Sequence, residues 1–136
     1  MDRILGISDR CGAAIHALAL AAAGGGKVTV ADAALRLGVS QSYLAKVLQV
    51  LARRGVLRSS RGAAGGYELA RSPSGLSCLE IVETLDGPLP ERDCLFERSV
   101  CGRGSCALRS LCQKMAKATR QALEATSVAA IAAGFK

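Results

Sequence analysis

Residues 40–70, SQSYLAKVLQVLARRGVLRSSRGAAGGYELA, contain the pattern that decides the fold. In the first half of this stretch, apolar residues recur every three or four positions, as they do on one face of an α-helix. Gly55 ends that pattern, and two short strand-like runs follow, VLRSS and GGYELA, separated by a glycine-rich tip. The stretch therefore predicts a helix followed directly by a β-hairpin. The apolar face of the helix is formed by Leu44, Val47, Leu48 and Leu51.

A shorter helix is predicted just before this one, in TVADAALRLG. Thr29 is its N-cap, Asp32 follows three residues later as in a shortened capping box, and Gly38 is its stop. Two helices joined by a short turn, the second opened by small polar residues, are typical of a helix-turn-helix. A β-hairpin directly after the second helix is typical of a wing. Together these features predict a winged helix-turn-helix.

Two further helices flank this unit. One is predicted between a cap at residues 8–9 and the glycines at 24–26. The other begins at a full capping box formed by Ser77 and Glu80 and stops at Gly87. The prolines that follow Gly87 exclude regular structure and open a cysteine-rich loop.

The C-terminal part is predicted to be one long helix, from about Ala107 to the end of the chain. Its apolar stripe is larger than one small domain can easily cover, so we expect it to pair with a second copy in a two-fold homodimer. The alternative is a helix folded back onto its own domain. The stripe consists of Leu108, Leu111, Met115, Ala118, Ala122, Leu123 and Ala129.

Charge is unevenly distributed along the 136 residues. Residues 1–77 carry ten Lys and Arg against four Asp and Glu, a net charge of +6, whereas residues 78–136 carry eight against seven, a net charge of +1. A basic half predicts a polyanionic partner, although a basic surface also serves solubility alone. The expected organisation is a DNA-binding domain at 1–76, a connecting helix and cysteine loop at 77–106, and a dimerisation helix at 107–136.

Several classes of protein are disfavoured. The apolar stretch 13–23 is too short to span a bilayer, and we expect no membrane partner and a cytoplasmic location. In a reducing compartment, six cysteines indicate metal or redox chemistry rather than disulfides. With one histidine and no Ser/His/Asp set or paired-carboxylate pocket, the chain is not expected to be an enzyme. The wing and the basic half argue against an electron carrier.

The predicted DNA contacts lie at the start of the second helix of the helix-turn-helix and on the wing. Gln41 can bond adenine through two hydrogen bonds, whereas Tyr43 either reads DNA or packs between the helices. Basic side chains are expected on phosphates, on a roughly palindromic operator in double-stranded DNA. The candidates are Ser40, Gln41, Ser42, Tyr43, Lys46, Arg53, Arg54, Arg58, Arg61, Gly65 and Tyr67.

Three segments together resemble the IscR/NsrR/CymR-type winged-helix regulators of bacteria: SYLAKVLQVL, RGAAGGYELAR and the cysteine loop CLFERSVCGRGSC at 94–106. The resemblance covers nearly the whole chain. It implies a mainly α winged helix-turn-helix protein that acts as a homodimeric transcription regulator, expected to be a repressor. Many relatives bind an iron–sulfur cluster through three cysteines of this loop, and cluster loss or modification changes their binding to DNA. The resemblance thus implies an iron–sulfur cofactor, with [4Fe–4S] favoured over [2Fe–2S].

The resemblance also implies which residues hold the cluster. The three ligand positions fall on Cys94, Cys101 and Cys106, although the gaps between them are six and four residues here instead of the usual five and five. The fourth ligand varies in the family. The histidine of the IscR type is replaced by Arg109, and the N-terminal aspartate of the NsrR type, donated by the partner subunit, corresponds to Asp9. Cys112, Cys11 and His16 are weaker candidates.

Three alternatives for the cysteine loop remain open. The cysteines could act without metal as a thiol switch for oxidants or sulfide. Zinc would use the same thiolates, but structural zinc sites usually contain two closely spaced cysteine pairs. The loop could also be vestigial. Cys78 and Cys11 are expected to be small buried apolar residues, and His16 an ordinary helix residue.

Overall fold

A computed structural model describes residues 5–60, 66–91, 93–96, 100–101 and 106–135. Within these ranges the chain is mainly helical with one small antiparallel sheet, which confirms the predicted fold class. The elements, in chain order, are α1 (Asp9–Ala23), β1 (Lys27–Val28), α2 (Val30–Leu37), α3 (Gln41–Arg53), β2 (Leu57–Ser60), β3 (Gly66–Leu69), a single 3-10 turn (Pro73–Gly75), α4 (Cys78–Asp86), α5 (Arg109–Ala125) and α6 (Val128–Ala132).

Helix α1 lies at the centre of the core. Eight of its residues are buried, and it packs against α2, α3, α4 and α6. The predicted apolar face of α3 is buried throughout, from Leu44 to Leu51. Helix α1 is buried nearly all round, with five consecutive buried residues at 17–21, whereas the amphipathic α3 turns its apolar side inward and its polar side toward solvent. None of the helices in the described ranges combines the length and the apolar character needed to cross a bilayer.

The helix ends follow the sequence signals closely. The hydroxyl of Thr29 accepts a hydrogen bond from the backbone N–H of Asp32 at 3.1 Å, and Gly38 ends α2 with φ +70°. At α4, the hydroxyl of Ser77 accepts from the N–H of Glu80 at 3.1 Å. The carboxylate of Glu80 is held by Arg71 at 2.7 Å instead of returning to Ser77, so only one half of the predicted capping box is observed.

The wing belongs to a three-stranded sheet with the order β1-β3-β2. Strands β2 and β3 were predicted; β1 was not, because two residues are too few to show an alternating pattern. Gly66, with φ +145°, lies directly against β1, and a Cβ atom added there would be 2.5 Å from the carbonyl oxygen of Val28. Only glycine allows β3 to approach β1 so closely.

The C-terminal helix is present, but the prediction of one continuous helix is wrong. Helix α5 ends at Ala125, Thr126 is extended, and α6 begins after Ser127, whose hydroxyl accepts from the N–H of Ala130 at 3.1 Å. The break is compensated by hydrogen bonds to the segment before α4. The N–H of Cys78 donates to Thr126 at 2.8 Å, and that of Val128 donates to Leu76 at 2.9 Å. These long-range bonds replace the helical ones, and no local sequence pattern reveals them.

Candidate DNA interface and cysteine site

The first turn of α3 presents a polar surface to solvent. The hydroxyl of Ser40 caps the helix by accepting from the N–H of Tyr43 at 3.1 Å. Ser40, Gln41 and Ser42 are exposed, and Tyr43 is 38 % exposed, so its ring does not fill the space between the helices. Because Leu44 and Leu48 are fully buried on the opposite side, the roll of α3 is fixed. An exposed, rigidly oriented helix start of this kind can enter a DNA groove.

Basic side chains border this surface. Lys46, Arg53 and Arg54 are exposed on α3 and at its end. Arg58 on β2 lies opposite Glu68 on β3 and forms an ion pair of 3.3 Å with it, while its side chain stays 63 % exposed. An exposed pair of this kind contributes little to stability, so Arg58 can exchange its partner for a phosphate at small cost.

The wing residues are only partly described. Tyr67 is half-buried and packs against the core, which places its ring in the support of the wing rather than on its outer surface. Arg61 and Gly65, the other predicted wing contacts, lie outside the described residues. Of the candidate wing residues, Arg58 and Tyr67 are among the described residues, and Arg58 is the more exposed of the two.

The three predicted ligand cysteines differ in their surroundings. Cys94 and Cys106 are half-buried, whereas Cys101 is exposed. Among the described residues, no group of three or more His, Cys, Asp and Glu side chains is close enough to hold a metal ion. The structure therefore places Cys94, Cys101 and Cys106 on one loop without bringing their thiols together. Arg92, Arg98 and Arg103, which neighbour these cysteines in sequence, lie outside the described ranges.

A cavity of about 270 Å³ is lined by one of these cysteines and by a fourth. Cys94 and Cys112 both line it, Cys94 from the loop and Cys112 from the first turns of α5. The remaining walls are mostly apolar and come from the N-terminal segment, the proline stretch and α5. They consist of Leu5, Gly6, Leu89, Pro90, Leu95, Met115, Ala116 and Thr119.

The beginning of the chain reaches this region of the same subunit. Leu5 and Gly6 line the cavity beside Cys94. Asp9, the candidate fourth ligand, is exposed in the first turn of α1, three residues beyond Gly6. The N-terminal segment and the cysteine loop are therefore neighbours within one subunit.

Arg109 lies where IscR-type relatives have a histidine. Its guanidinium is 3.4 Å from the carboxylate of Asp93, and its backbone N–H donates to Cys106 at 3.2 Å. Its Nε is buried and has no hydrogen-bond partner among the described residues. A cation with an unused buried donor next to Cys106 suits the negative charge of a cluster–thiolate group. By the chemistry of its donors, the loop fits such a group.

A cluster of polar side chains connects α4 to the start of α1. The carboxylate of Asp86 accepts hydrogen bonds from Ser8, through the backbone N–H at 2.9 Å and the hydroxyl at 2.6 Å. It also accepts from Nε of Arg10 at 3.3 Å and from Sγ of Cys11 at 3.2 Å. Arg10 donates a further hydrogen bond to the carbonyl oxygen of Leu85. We refer to Ser8, Arg10, Cys11 and Asp86 as the Asp86 cluster.

The Asp86 cluster shifts two pKa values in opposite directions. Partial burial acts to raise the pKa of Asp86, but the hydrogen bonds from Ser8, Cys11 and Arg10 outweigh it and hold that pKa below its usual value. Burial, with the neighbouring Asp86, raises the pKa of Cys11 to about 11. Cys11 is thus a neutral hydrogen-bond donor to a charged carboxylate, not an available thiolate.

Sequence reasoning missed this cluster. One signal was available: Asp86 is an acidic residue at the C-terminus of a helix, where the helix dipole disfavours negative charge. Such a residue needs other donors, but the sequence does not show that they come from residues 8–11. The expected roles of the other residues hold. Cys11 and Cys78 are buried, and Nδ1 of His16 donates to Gly12 at 2.7 Å within α1.

Comparison with protein families identifies the chain's relatives. The Rrf2 family profile, described as an iron-dependent transcriptional regulator, matches residues 7–134. An rrf2-like HTH-type regulator of Rhodobacter capsulatus is 37 % identical over 50 % of this chain, and the match spans 45 % of that protein's length. Protein rrf2 of Nitratidesulfovibrio vulgaris is 32 % identical over 75 % of this chain and 69 % of its own length.

Solved structures with the same architecture cover almost the whole chain. CymR, described as the global cysteine regulator of B. subtilis, is 25 % identical, has a TM-score of 0.79 and matches 97 % of this chain and 99 % of its own. IscR of T. potens is also 25 % identical, with a TM-score of 0.71 over 97 % of this chain and 89 % of its own.

Proposed function

We propose that this chain, which belongs to the Rrf2 family of transcriptional regulators, is a homodimeric, cytoplasmic DNA-binding repressor. Its cysteine loop senses nitric oxide, redox or iron–sulfur status through a bound cluster. Members of this family regulate transcription and are not enzymes, in line with the sequence analysis. DNA binding, the dimer and the cluster are supported by the following observations, and the repressor role comes from the family resemblance.

DNA binding is supported by the exposed start of α3 and the basic side chains around it. Ser40, Gln41 and Ser42 would reach base edges in the major groove, whereas Lys46 and Arg58 would neutralise phosphates. We propose that Arg61 and Gly65 extend this contact at the tip of the wing, and that Arg53 and Arg54 add phosphate contacts. Tyr43 would lie over the sugar-phosphate backbone or a base, since its ring is exposed.

A homodimer is supported by the free face of α5. No residue of α5 is buried, and apolar residues at 108, 111, 115, 118 and 122 form a straight stripe in which all five are exposed. Leu111 is 55 % exposed and Met115 is 48 % exposed. A second copy of α5 packed on this stripe would remove it from water, and a two-fold dimer would place two copies of α3 on a palindromic operator.

The cluster would be held by the thiolates of Cys94, Cys101 and Cys106, with Asp9 of the partner subunit as the fourth ligand. A bound cluster supplies an iron site that nitric oxide or oxygen can attack. The described residues provide one property that favours binding of a negatively charged cluster, the cation of Arg109 next to Cys106. The description of the family as iron-dependent agrees with this assignment.

The observation that carries the sensor proposal is the position of Asp86. Asp86 is the last residue of α4, and the segment that leads to the cysteine loop at 94–106 begins directly after it, at Gly87. The carboxylate of Asp86 is bonded to Ser8, Arg10 and Cys11 at the start of α1. Since α1 packs directly against α2 and α3, a change in the loop has a short covalent and hydrogen-bonded route to the helix-turn-helix.

A second candidate is a regulator of the same fold that uses the cysteines without metal, as a thiol switch for oxidants or sulfide. Two observations favour it. The described cysteines do not converge into a metal-binding group, and a structural relative is described as a cysteine regulator.

Purification under anaerobic conditions distinguishes the two candidates. The cluster proposal predicts a coloured protein that contains iron and sulfide, and Cys101→Ser is expected to lose both. Asp9→Ala should leave a cluster that is lost faster or has a shifted spectrum. A colourless protein without iron, even after reconstitution with iron and sulfide, would overturn the cluster proposal and leave the thiol switch.

A further inference from the structure

Two of the six cysteines are protected from oxidants by the fold. Cys11 and Cys78 are 0 % and 3 % exposed. Burial raises the pKa of both thiols, to about 11 for Cys11. Oxidants react with thiolates that they can reach, so these two residues are poor targets. The accessible set is Cys94, Cys101, Cys106 and Cys112.

Within that set, two cysteines line one cavity. Cys94 and Cys112 line the same cavity of about 270 Å³, and Cys101 and Cys106 are not among its lining residues. The two partners differ in how firmly they are held. Cys112 is part of α5, where its N–H donates to Leu108 at 2.9 Å. Cys94 lies on a bend of the loop outside any helix or strand, so it can move across the cavity toward a fixed partner.

We infer that a peroxide joins Cys94 to Cys112 as an intramolecular disulfide in the cluster-free protein. The inference rests on the proposal that the cysteine loop is the sensor. It assigns a redox role to Cys112, which is not one of the three predicted ligand positions. Formation of the bond would hold the loop against α5 and remove Cys94 from the ligand set.

The chemistry requires two steps and one equivalent of peroxide. The thiolate of one cysteine attacks a peroxide oxygen, the O–O bond breaks, and a sulfenic acid and one water form. The thiolate of the second cysteine then attacks the sulfenic sulfur, the S–S bond forms, and the hydroxyl group leaves as a second water. The two thiols are oxidised by two electrons in total and the peroxide is reduced. A dithiol reductant reverses the step by thiol–disulfide exchange.

The apolar walls of the cavity favour this pairing. Leu89, Pro90 and Met115 line the cavity together with Cys94 and Cys112, so a sulfenic acid on either cysteine forms in a mostly apolar space that also contains the second thiol. The exposed Cys101 does not line this cavity and should be oxidised further or modified by added thiols.

The sequence permits a direct test, because trypsin places each accessible cysteine on its own peptide. Iron-free protein is treated with one equivalent of hydrogen peroxide, the remaining thiols are alkylated, and the digest is analysed by mass spectrometry without reduction. The four peptides are DCLFER with Cys94, SVCGR with Cys101, GSCALR with Cys106 and SLCQK with Cys112.

The expected product is DCLFER linked to SLCQK, lighter than the sum of the two peptides by two hydrogen atoms. Cys112→Ser is expected to lose this product, and the matched variant Cys101→Ser is expected to keep it. Because the wild-type peptide map alone decides the pairing, the test does not depend on the stability of either variant. A dominant link between SVCGR and GSCALR, or between DCLFER and SVCGR, would overturn the inference.

Two further readouts separate this inference from the rest of the account. A disulfide between subunits would appear as a dimer band on a non-reducing gel and would also overturn it. Iron and sulfide assays on the anaerobically purified protein, before iron is removed, test the cluster independently. Protein that contains iron when purified but forms a different disulfide after iron removal refutes only the inference. Protein that takes up no iron even on reconstitution but forms the Cys94–Cys112 link refutes only the cluster.

Discussion

Ser8 holds Asp86 through two hydrogen bonds, from its backbone N–H at 2.9 Å and from its hydroxyl at 2.6 Å. Ser8 is the N-cap of α1, yet its hydroxyl does not cap its own helix. It is directed instead to the last residue of α4, 78 positions away in sequence. The start of α1 and the end of α4 are thus fixed to each other by one serine and one aspartate.

Asp86→Asn is expected to destabilise the protein by about 1–3 kcal/mol, because an amide accepts the bonds of the Asp86 cluster less well than a carboxylate does. Chemical denaturation of the iron-free protein measures the change. Asp32→Asn is the control, since Asp32 is exposed at the start of α2 and its loss should cost less than about 1 kcal/mol. Equal effects of the two substitutions would show that the Asp86 cluster contributes no stability.

The pKa of Asp86 also predicts how stability depends on pH. Because its hydrogen bonds hold the pKa below the usual value of 3.8, the stabilisation is fully present above that value and is lost as the pH falls through the lower, folded value. Unfolding free energies of iron-free wild type should therefore decrease below about pH 4 more steeply than those of Asp86→Asn. Parallel curves would contradict the assignment.

Gly66→Ala is expected to destabilise the wing by about 1–3 kcal/mol, since the added Cβ meets the carbonyl of Val28 at a positive φ. Gly12→Ala is the matched substitution in α1, where no atom lies within 4 Å of the added Cβ. It should raise stability by up to about 1 kcal/mol. Thermal unfolding measures both variants, and a neutral Gly66→Ala would mean that β1 and β3 are not this close.

Gln41→Ala and Lys46→Ala should affect DNA binding differently. Loss of Gln41 is expected to cost about 1–3 kcal/mol on the operator and little on unrelated DNA, because it removes a base contact. Loss of Lys46 should weaken binding to the operator and to unrelated DNA alike. It should also reduce, by about 1, the magnitude of the slope of log affinity against log salt concentration. Fluorescence anisotropy at several salt concentrations measures the affinity of each variant for both DNAs. Identical profiles for both variants would contradict the proposed placement of α3.

Met115→Glu is expected to convert the dimer to a monomer, because it places a charge in the exposed apolar stripe of α5. Gln121→Glu adds the same charge to an exposed position beside the stripe and should leave the dimer intact. Light scattering after size-exclusion chromatography gives the mass of each. A Met115→Glu protein that stays dimeric would mean that the subunits meet elsewhere.

Local patterns in the sequence were sufficient for much of the fold. Caps and stops such as Thr29 and Gly38 act within four residues, so the sequence shows them directly, and the buried face of α3 follows from its period. The break after Ala125 and strand β1 depend on hydrogen bonds to distant segments. Sequence periodicity carries no information about such partners.

The candidate site also contains both features that the sequence predicts and features that it does not. The exposed start of α3 could be predicted because one helical period defines both its buried and its exposed face. The Asp86 cluster and the shared cavity of Cys94 and Cys112 could not, because each joins segments that are far apart in the chain. For the ligand cysteines, sequence resemblance supplies positions, and those positions stay a prediction.

The most direct test of the central claim compares operator affinity of one preparation before and after removal of iron, at fixed salt and without oxygen. The account predicts that the state of the cysteine loop changes the affinity by about tenfold or more, and that Asp86→Asn, which weakens the link to α1, reduces this ratio. Equal operator affinity for iron-loaded and iron-free protein, with iron content confirmed in each sample, would contradict it.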